Sequence, residues 1–356
     1  MQERKTEMTI NREDIKNNRI IRHVWYFTKG LLRRSQLRKK AEETAERFQI
    51  PFSSEKEKQR CLADMLRMNR LYGYDFDEYF LFRFAEKPLR ERRTFVADWE
   101  HLGYTCAMNN PANAQIYDNK WKTYQAFRDF FHRELLYCDA GLPEADFRLF
   151  EERHPSYIVK PLDATCGRGV RVAHSGEDLQ ALLRENGGRF LAEELIVQAP
   201  ELAKLHPESV NTVRVPTISY GDSVEIVHPF LRVGQHGSLV DNAGFGGIIC
   251  TLDVDTGRVI AAADEHGNHY ENHPDTKERI LGFVVPRWDE AKKVAAALAR
   301  VVPDNHYTGW DLACTKDGAW VLVEANRRGQ FLWQISDLVG FRKEIKDDLA
   351  RMGKKY

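Results

Sequence analysis

The 356-residue sequence predicts an α+β protein with a helical N-terminal region, and three observations lead to that class. Apolar positions Ile20, Val24, Phe27 and Leu31 recur at helical spacing among many basic residues. Near residue 120 the texture changes to short strands interleaved with helices. After about residue 209, β-type runs dominate, over 212–219, 224–233, 247–254 and 320–325. Long hairpin-like runs beside helices give α+β, and no internal repeat is present.

The elements follow in order. The basic run Arg33-Arg34 to Lys39-Lys40 reads as a solvated helix face, because Glu42, Glu43 and Glu46 return at once. A helix over about 54–70 stops at Tyr72-Gly73-Tyr74, and the aromatic stretch Tyr74 to Phe80 reads as packing. Asp118-Asn119-Lys120 leads into a helix through Ala126 to Leu135. Tyr157-Ile158-Val159-Lys160-Pro161 is a short strand stopped by proline, followed by a glycine-bearing loop, 164–169, and a strand Val170-Arg171-Val172. A helix at 177–186, a strand Phe190-Leu191-Ala192-Glu193, and helices at 288–301 and 340–352 complete the plan.

Bulk composition excludes several classes. Lys+Arg and Asp+Glu both number 53, so no global field draws in nucleic acid or an anionic membrane. No window approaches about 18 uninterrupted apolar residues, so no membrane span is expected. The polar N-terminus and six cysteines without a CxxC pair fit a cytoplasmic protein with neither zinc site nor disulfide framework.

The chemistry concentrates in a few segments. Glu324 and Asn326, two apart on a strand, share one face, and with Asp311 they would form a hard oxygen cage suited to Mg²⁺. Taken alone, the pattern equally fits a wetted edge strand. Lys160 at a strand end, followed by Gly167 and Gly169, suits phosphate oxygens, although a plain hairpin turn has the same look. It is neither a Walker A loop nor a dinucleotide fingerprint. His266, His269 and His273 lie in loop sequence without a second ligand cluster.

The ordered set Asn119-Lys120, Ile158-Val159-Lys160-Pro161 with Gly167-Arg168-Gly169-Val170, Ala192-Glu193-Glu194-Leu195-Ile196, Asp311 and Glu324-Ala325-Asn326 resembles the ATP-grasp superfamily. Ser209 to Arg214, Val240-Asp241-Asn242 with Gly246-Gly247, and His273-Pro274-Asp275-Thr276 are similar to its sugar-transfer-associated branch. The resemblance spans roughly residues 70–340. It implies an ATP-grasp fold, two α+β subdomains clasping ATP: a helical region 1–110, an N-terminal subdomain 111–195 with lid loop 164–169, and a C-terminal subdomain 196–356.

The resemblance also implies roles. Lys120 and Lys160 would reach the α- and β-phosphates, and Thr165, Gly167, Arg168 and Gly169 would close over the triphosphate. Glu193 would face the adenine amino group, Glu194, Leu195 and Ile196 would form the hinge against the base, and Glu201 would hold the ribose. Asp311, Glu324 and Asn326 would bind magnesium, with two ions expected. Arg214, Arg232 and Arg328 would stabilise the transferring phosphoryl group, and Asn211, Asp241, Asn242, Gly246, Gly247 and His273 would bind the acceptor.

The expected activity is that of an ADP-forming carboxylate–amine ligase working through an acyl phosphate, on an amino acid, peptide or sugar-linked acid. The alternatives are a small-molecule kinase on the same fold, or an ATP-binding module associated with polysaccharide synthesis.

Overall fold

The structure, a computed structural model, describes residues 33–162, 169–238, 241 and 246–354. The N-terminal segment around Ile20–Leu31 lies outside the described residues. The chain divides into two units, one running to Met108 and resuming at Leu338, the other spanning Asn109–Asp337. The stretch from Leu338 thus joins the N-terminal helices, whereas the sequence grouped it with 196–337.

The first unit is helical. α1 (Arg34–Arg47) carries the basic run, and α2 (Glu55–Tyr72) starts where the Ser54 side chain accepts the Glu57 amide at 3.2 Å. α2 ends at Gly73, in the left-handed conformation that glycine adopts without strain. After α3 (Phe76–Leu81) and α4 (Leu89–Arg92), Tyr74, Phe82, Phe84 and Phe95 pack ring on ring. The aromatic stretch is therefore core, as its surroundings predicted. Arg342 donates to the Phe95 carbonyl at 2.6 Å and pairs with Glu100 of α5 (Asp98–Met108).

The second unit holds two antiparallel sheets. It opens with α6 (Ala114–Asp118) and α7 (Lys120–Phe127), the latter capped by Asn119, which accepts the Lys122 amide at 3.0 Å. The helix predicted to Leu135 stops at Phe127. A 3₁₀ turn and a left-handed His132 follow, and Leu135 instead opens β1 (Leu135–Asp139). β1 escaped prediction because Leu135-Leu136-Tyr137-Cys138 lacks alternation and has no turn residue before it.

The smaller sheet has the order β1-β4-β2-β3, where β2 is Ser156–Pro161, β3 Arg171–His174 and β4 Arg189–Glu194. α8 (Glu144–Arg153) and α9 (Leu179–Glu185) cover one face. Tyr157, Val159, Phe190 and Ala192 point into that core, so by alternation Ile158, Lys160, Leu191 and Glu193 take the other face.

The larger sheet has the order β11-β10-β5-β7-β8-β9, with β6 (Ser223–Ile226) pairing β5 (Val213–Tyr220). Its other strands are β7 (Phe230–Val233), β8 (Ile248–Leu252), β9 (Val259–Ala263), β10 (Tyr307–Cys314) and β11 (Trp320–Asn326). The run predicted over 224–233 is two strands, parted at His228, whose φ is +45°. Val213, Val215, Trp310, Leu312, Trp320, Leu322 and Ala325 share one core with Ala291, Ala295 and Leu298 of α10 (Trp288–Ala299). α11 (Trp333–Asp337) lies on β8 and β9. Among the described residues, no helix is long and apolar enough to cross a membrane.

Gly340 tests the C-terminal packing in the first unit. A Cβ there would stand 2.3 Å from the Thr94 carbonyl carbon and 2.4 Å from the Phe95 nitrogen, which are backbone atoms that cannot swing aside. Gly340→Ala is expected to destabilise by about 1–3 kcal/mol, read as a lower urea midpoint.

Candidate functional site

One cavity in the second unit draws its wall from both sheets. Ile158, Lys160, Leu191 and Glu193 enter from the small sheet, and Thr212, Arg232, Asp311 and Glu324 from the large one. Lys120 and Thr123 of α7, with Tyr117, close one side, and Glu194, Leu195 and Ile196 form the edge beyond β4.

The floor is a row of charge across three neighbouring strands. Arg214 of β5 is paired in register with Asp311 of β10, and Asp311 with Glu324 of β11. Side chains opposite each other on antiparallel strands share a face, so strand pairing alone brings the three together. Arg214 holds Asp311 through Nε and through Nη2 at 2.9 Å, Arg232 donates to the same carboxylate at 2.9 Å, and Asn326 donates Nδ2 at 3.2 Å. Gly309 makes room, since a Cβ there would lie 2.8 Å from Arg214 Cδ.

Arg232 extends the network toward the 234–247 segment. Its Nη2 and Nε donate to Thr212 Oγ1 at 2.6 and 3.1 Å, while Thr212 donates its hydroxyl and amide to Asp241 at 2.5 and 2.7 Å. Burial pushes the Asp241 carboxyl up, and Arg232 and Thr212 only partly offset it. Burial also pushes Asp311 up, but the two guanidinium groups more than reverse this and hold it below the usual range.

On the facing sheet, Glu193 binds two cations. Lys160 Nζ is 2.6 Å from one carboxylate oxygen, and Arg133 Nε donates to the other at 2.6 Å. Burial raises this carboxyl too, and Arg133 and Lys160 together bring it below its ordinary value. In this structure both Glu193 oxygens are engaged by Arg133 and Lys160 at the cavity wall.

Other predicted residues stand elsewhere. Thr165, Gly167, Arg168 and Asn242 lie outside the described residues. Gly169 is at left-handed φ against Pro161, and Glu201 and Arg328 are exposed. Asn211 is fully buried and serves the chain: its Nδ2 donates to Gln198, the Leu202 carbonyl and the His206 carbonyl, and its Oδ1 accepts the Gly234 amide. His273 is likewise buried. Its Nδ1 faces the amides of Asp275 and Thr276, which leaves Nε2 to donate to the Gly234 carbonyl at 2.7 Å. Asn211 and His273 thus shape the 234 turn instead of lining the cavity, because their polar atoms satisfy buried backbone. Gly246 accepts from Gln235, and Gly247 is buried beside it. Sequence reasoning missed Tyr117, Thr123, Phe131, Leu135 and Val323 in the wall, and Arg133 behind it. Nothing in their spacing marks them.

Glu324 and the Asn326 amide oxygen offer oxygen donors without thiolate or imidazole, the chemistry of a hard cation, while the Asp311 oxygens behind them are engaged by Arg214, Arg232 and Asn326. Among the described residues, no group of three or more His, Cys, Asp or Glu could by itself hold a metal. Magnesium is usually bound by one or two carboxylates together with phosphate oxygens, and Glu324 with the Asn326 amide oxygen fits that donor set.

Residues 179–347 match the sugar-transfer associated ATP-grasp family. Among solved structures, the ATP-grasp ligase PsnB with its minimal precursor is similar at 17% identity and TM-score 0.43, over 69% of this chain and 63% of that one. The VanG D-Ala:D-Ser ligase from Enterococcus faecalis is similar at 12% identity and TM-score 0.46, over 69% and 63%. The D-alanyl-alanine synthetase A from Vibrio cholerae is similar at 12% and 0.40, over 70% and 63%. The chain thus spans less than two thirds of the length of these three. No curated protein matches it.

Buried acids shape the response of the second unit to acid. Glu193 and Asp311, held low, contribute stability that is complete above their ordinary values of 4.5 and 3.8 and is lost as pH falls through their folded values. Asp241, held high, acts oppositely: its contribution is complete below 3.8 and lost as pH rises through its folded value. With two acids against one, urea midpoints are expected to drop below about pH 4. Glu193→Gln is expected to make that drop shallower.

Proposed function

We propose that this protein is an ATP-dependent, ADP-forming carboxylate–amine ligase that works through an acyl phosphate. The observation that carries the reading is the facing of Lys160 on one sheet against Asp311 and Glu324 on the other, across a single cavity, with Arg232 between them and the acceptor-side loop. The match over 179–347 supports the nucleotide chemistry.

Lys120 and Lys160 bind the polyphosphate from α7 and β2, and the apolar wall of Phe131, Leu135, Leu191 and Val323 takes the base against 194–196. Glu324 and Asn326, backed by Asp311, would hold magnesium, which would supply positive charge for the transferring phosphoryl group. A substrate carboxylate oxygen attacks the γ-phosphorus, the bond to the bridging oxygen breaks, and ADP leaves. The amine then attacks the acyl carbon, inorganic phosphate departs, and the amine proton passes to solvent. Arg232, fixed by Asp311 and Thr212, lies where negative charge gathers in both steps. No protein nucleophile is required.

Two measurements test this. With ATP and a panel of amino acids, peptides and sugar acids, hydroxylamine is expected to trap a hydroxamate that requires both ATP and the acid. A stable phosphorylated product without hydroxamate would instead identify a kinase. Glu324→Gln is expected to lower ATP-dependent turnover by about 10²–10³-fold with the melting curve retained; wild-type turnover in that variant would remove the enzymatic reading and leave a binding module.

A further inference from the structure

Arg133 is the buried charge that the proposed chemistry does not use. Its side chain and that of Glu193 are each only 4% exposed, and it does not line the cavity. Its guanidinium is surrounded by protein groups. Nε and Nη2 meet Glu193, Nη1 donates to the Phe131 carbonyl at 3.0 Å and the Leu322 carbonyl at 2.6 Å, and the Phe131 ring centroid lies 4.8 Å from the guanidinium carbon. Arg133 is not among the residues lining the cavity, so its influence there passes through its neighbours, Glu193 above all.

That influence is electrostatic first. Glu193 alone with Lys160 would be a closed pair in which the lysine charge is cancelled by its neighbour. With Arg133 present the cluster holds two cations and one carboxylate, so one positive charge is left over. Of the three side chains, Lys160 is the most exposed, at 16%, and it alone of the two cations faces the cavity. A partly buried surplus cation is costly unless an anion meets it. The second influence is geometric: Arg133, just before β1, pairs with Glu193 of β4 and bonds the Leu322 carbonyl of β11, so it links the small sheet to the large one two residues before Glu324.

We propose that Arg133 is a positioning residue that neutralises Glu193, so that Lys160 stands oriented by that carboxylate yet keeps its charge for a polyphosphate. This rests on the ATP reading of the cavity. Lysine in place of Arg133 would supply charge without the planar fork that reaches Glu193 and two carbonyls at once.

Equilibrium titrations with ATP and with inorganic tripolyphosphate, which carries no base, test the idea. Arg133→Met is expected to weaken both ligands by about tenfold, the scale of one partly screened charge interaction. Adding Glu193→Gln to that variant restores the surplus charge, and binding is expected to return to within about threefold of wild type. A purely structural arginine predicts that the double variant is no better than the single one, and that result overturns the proposal, as does wild-type affinity in Arg133→Met. If Arg133→Met does not fold, Glu193→Gln alone decides. It leaves two cations without the acid and is expected to bind tripolyphosphate more tightly, whereas weaker binding overturns the proposal. A wild-type protein that binds neither ligand defeats the ATP reading and this inference together; wild-type binding with an unchanged Arg133→Met defeats the inference alone.

Discussion

The carboxylate of Asp311 organises the second unit. It is almost completely buried, and two arginines from different strands converge on it. Such a cluster adds little net stability when intact, but removing one partner strands the others in a medium that solvates them poorly, at a typical cost of about 3–5 kcal/mol. The side chains around it are therefore mutually obligatory. Arg214 needs the hollow left by Gly309, Arg232 needs Thr212, and Thr212 in turn anchors Asp241 after β7. A chain of contacts thus runs from the strand bearing Glu324 to the loop after β7, with no link exposed enough to be replaced by water.

The small sheet repeats the arrangement. There Glu193 is shared between two cations, as Asp311 is on the large sheet, where Glu324 stands beside the cluster as a second acid. The period of two along β2 and β4 sends apolar residues to the helices and Lys160 and Glu193 to the cavity. Opposed sheets whose outer faces are covered by helices and whose inner faces carry charged side chains form a cleft that is polar around Lys160, Asp311 and Glu324 and apolar around Phe131, Leu135, Leu191 and Val323.

Much of this was legible in the sequence. Strand faces followed from alternation, and the residues quoted from five separated segments, Lys120, Lys160, the 193–196 stretch, Asp311 and Glu324, line one cavity. What stayed hidden had physical reasons. β1 has no alternation to betray it. Asn211 and His273 are chemically fit to bind a ligand, and only the structure shows that buried carbonyls and amides of the 234 turn claim them first. Arg133 is one arginine among many, distinguished solely by a carboxylate 60 residues away. The regrouping of the chain after Leu338 depends on Arg342 and Gly340 meeting residues near 95, a contact no local pattern announces.

β11 carries one further consequence. The strand has seven residues, yet its register with β10 jumps from Asp311–Glu324 to Leu312–Leu322, so Val323 has no partner opposite it. Leu322 and Glu324, two apart, consequently occupy opposite faces, one in the core and the other in the cavity, and Val323 joins the cavity wall. The supernumerary residue separates two jobs that a regular strand would bind together. The ladder and its acids are set by the paired positions, while the size of the apolar wall is set at a place the ladder does not count. The pocket can therefore be enlarged or narrowed at position 323 without moving a single strand pairing.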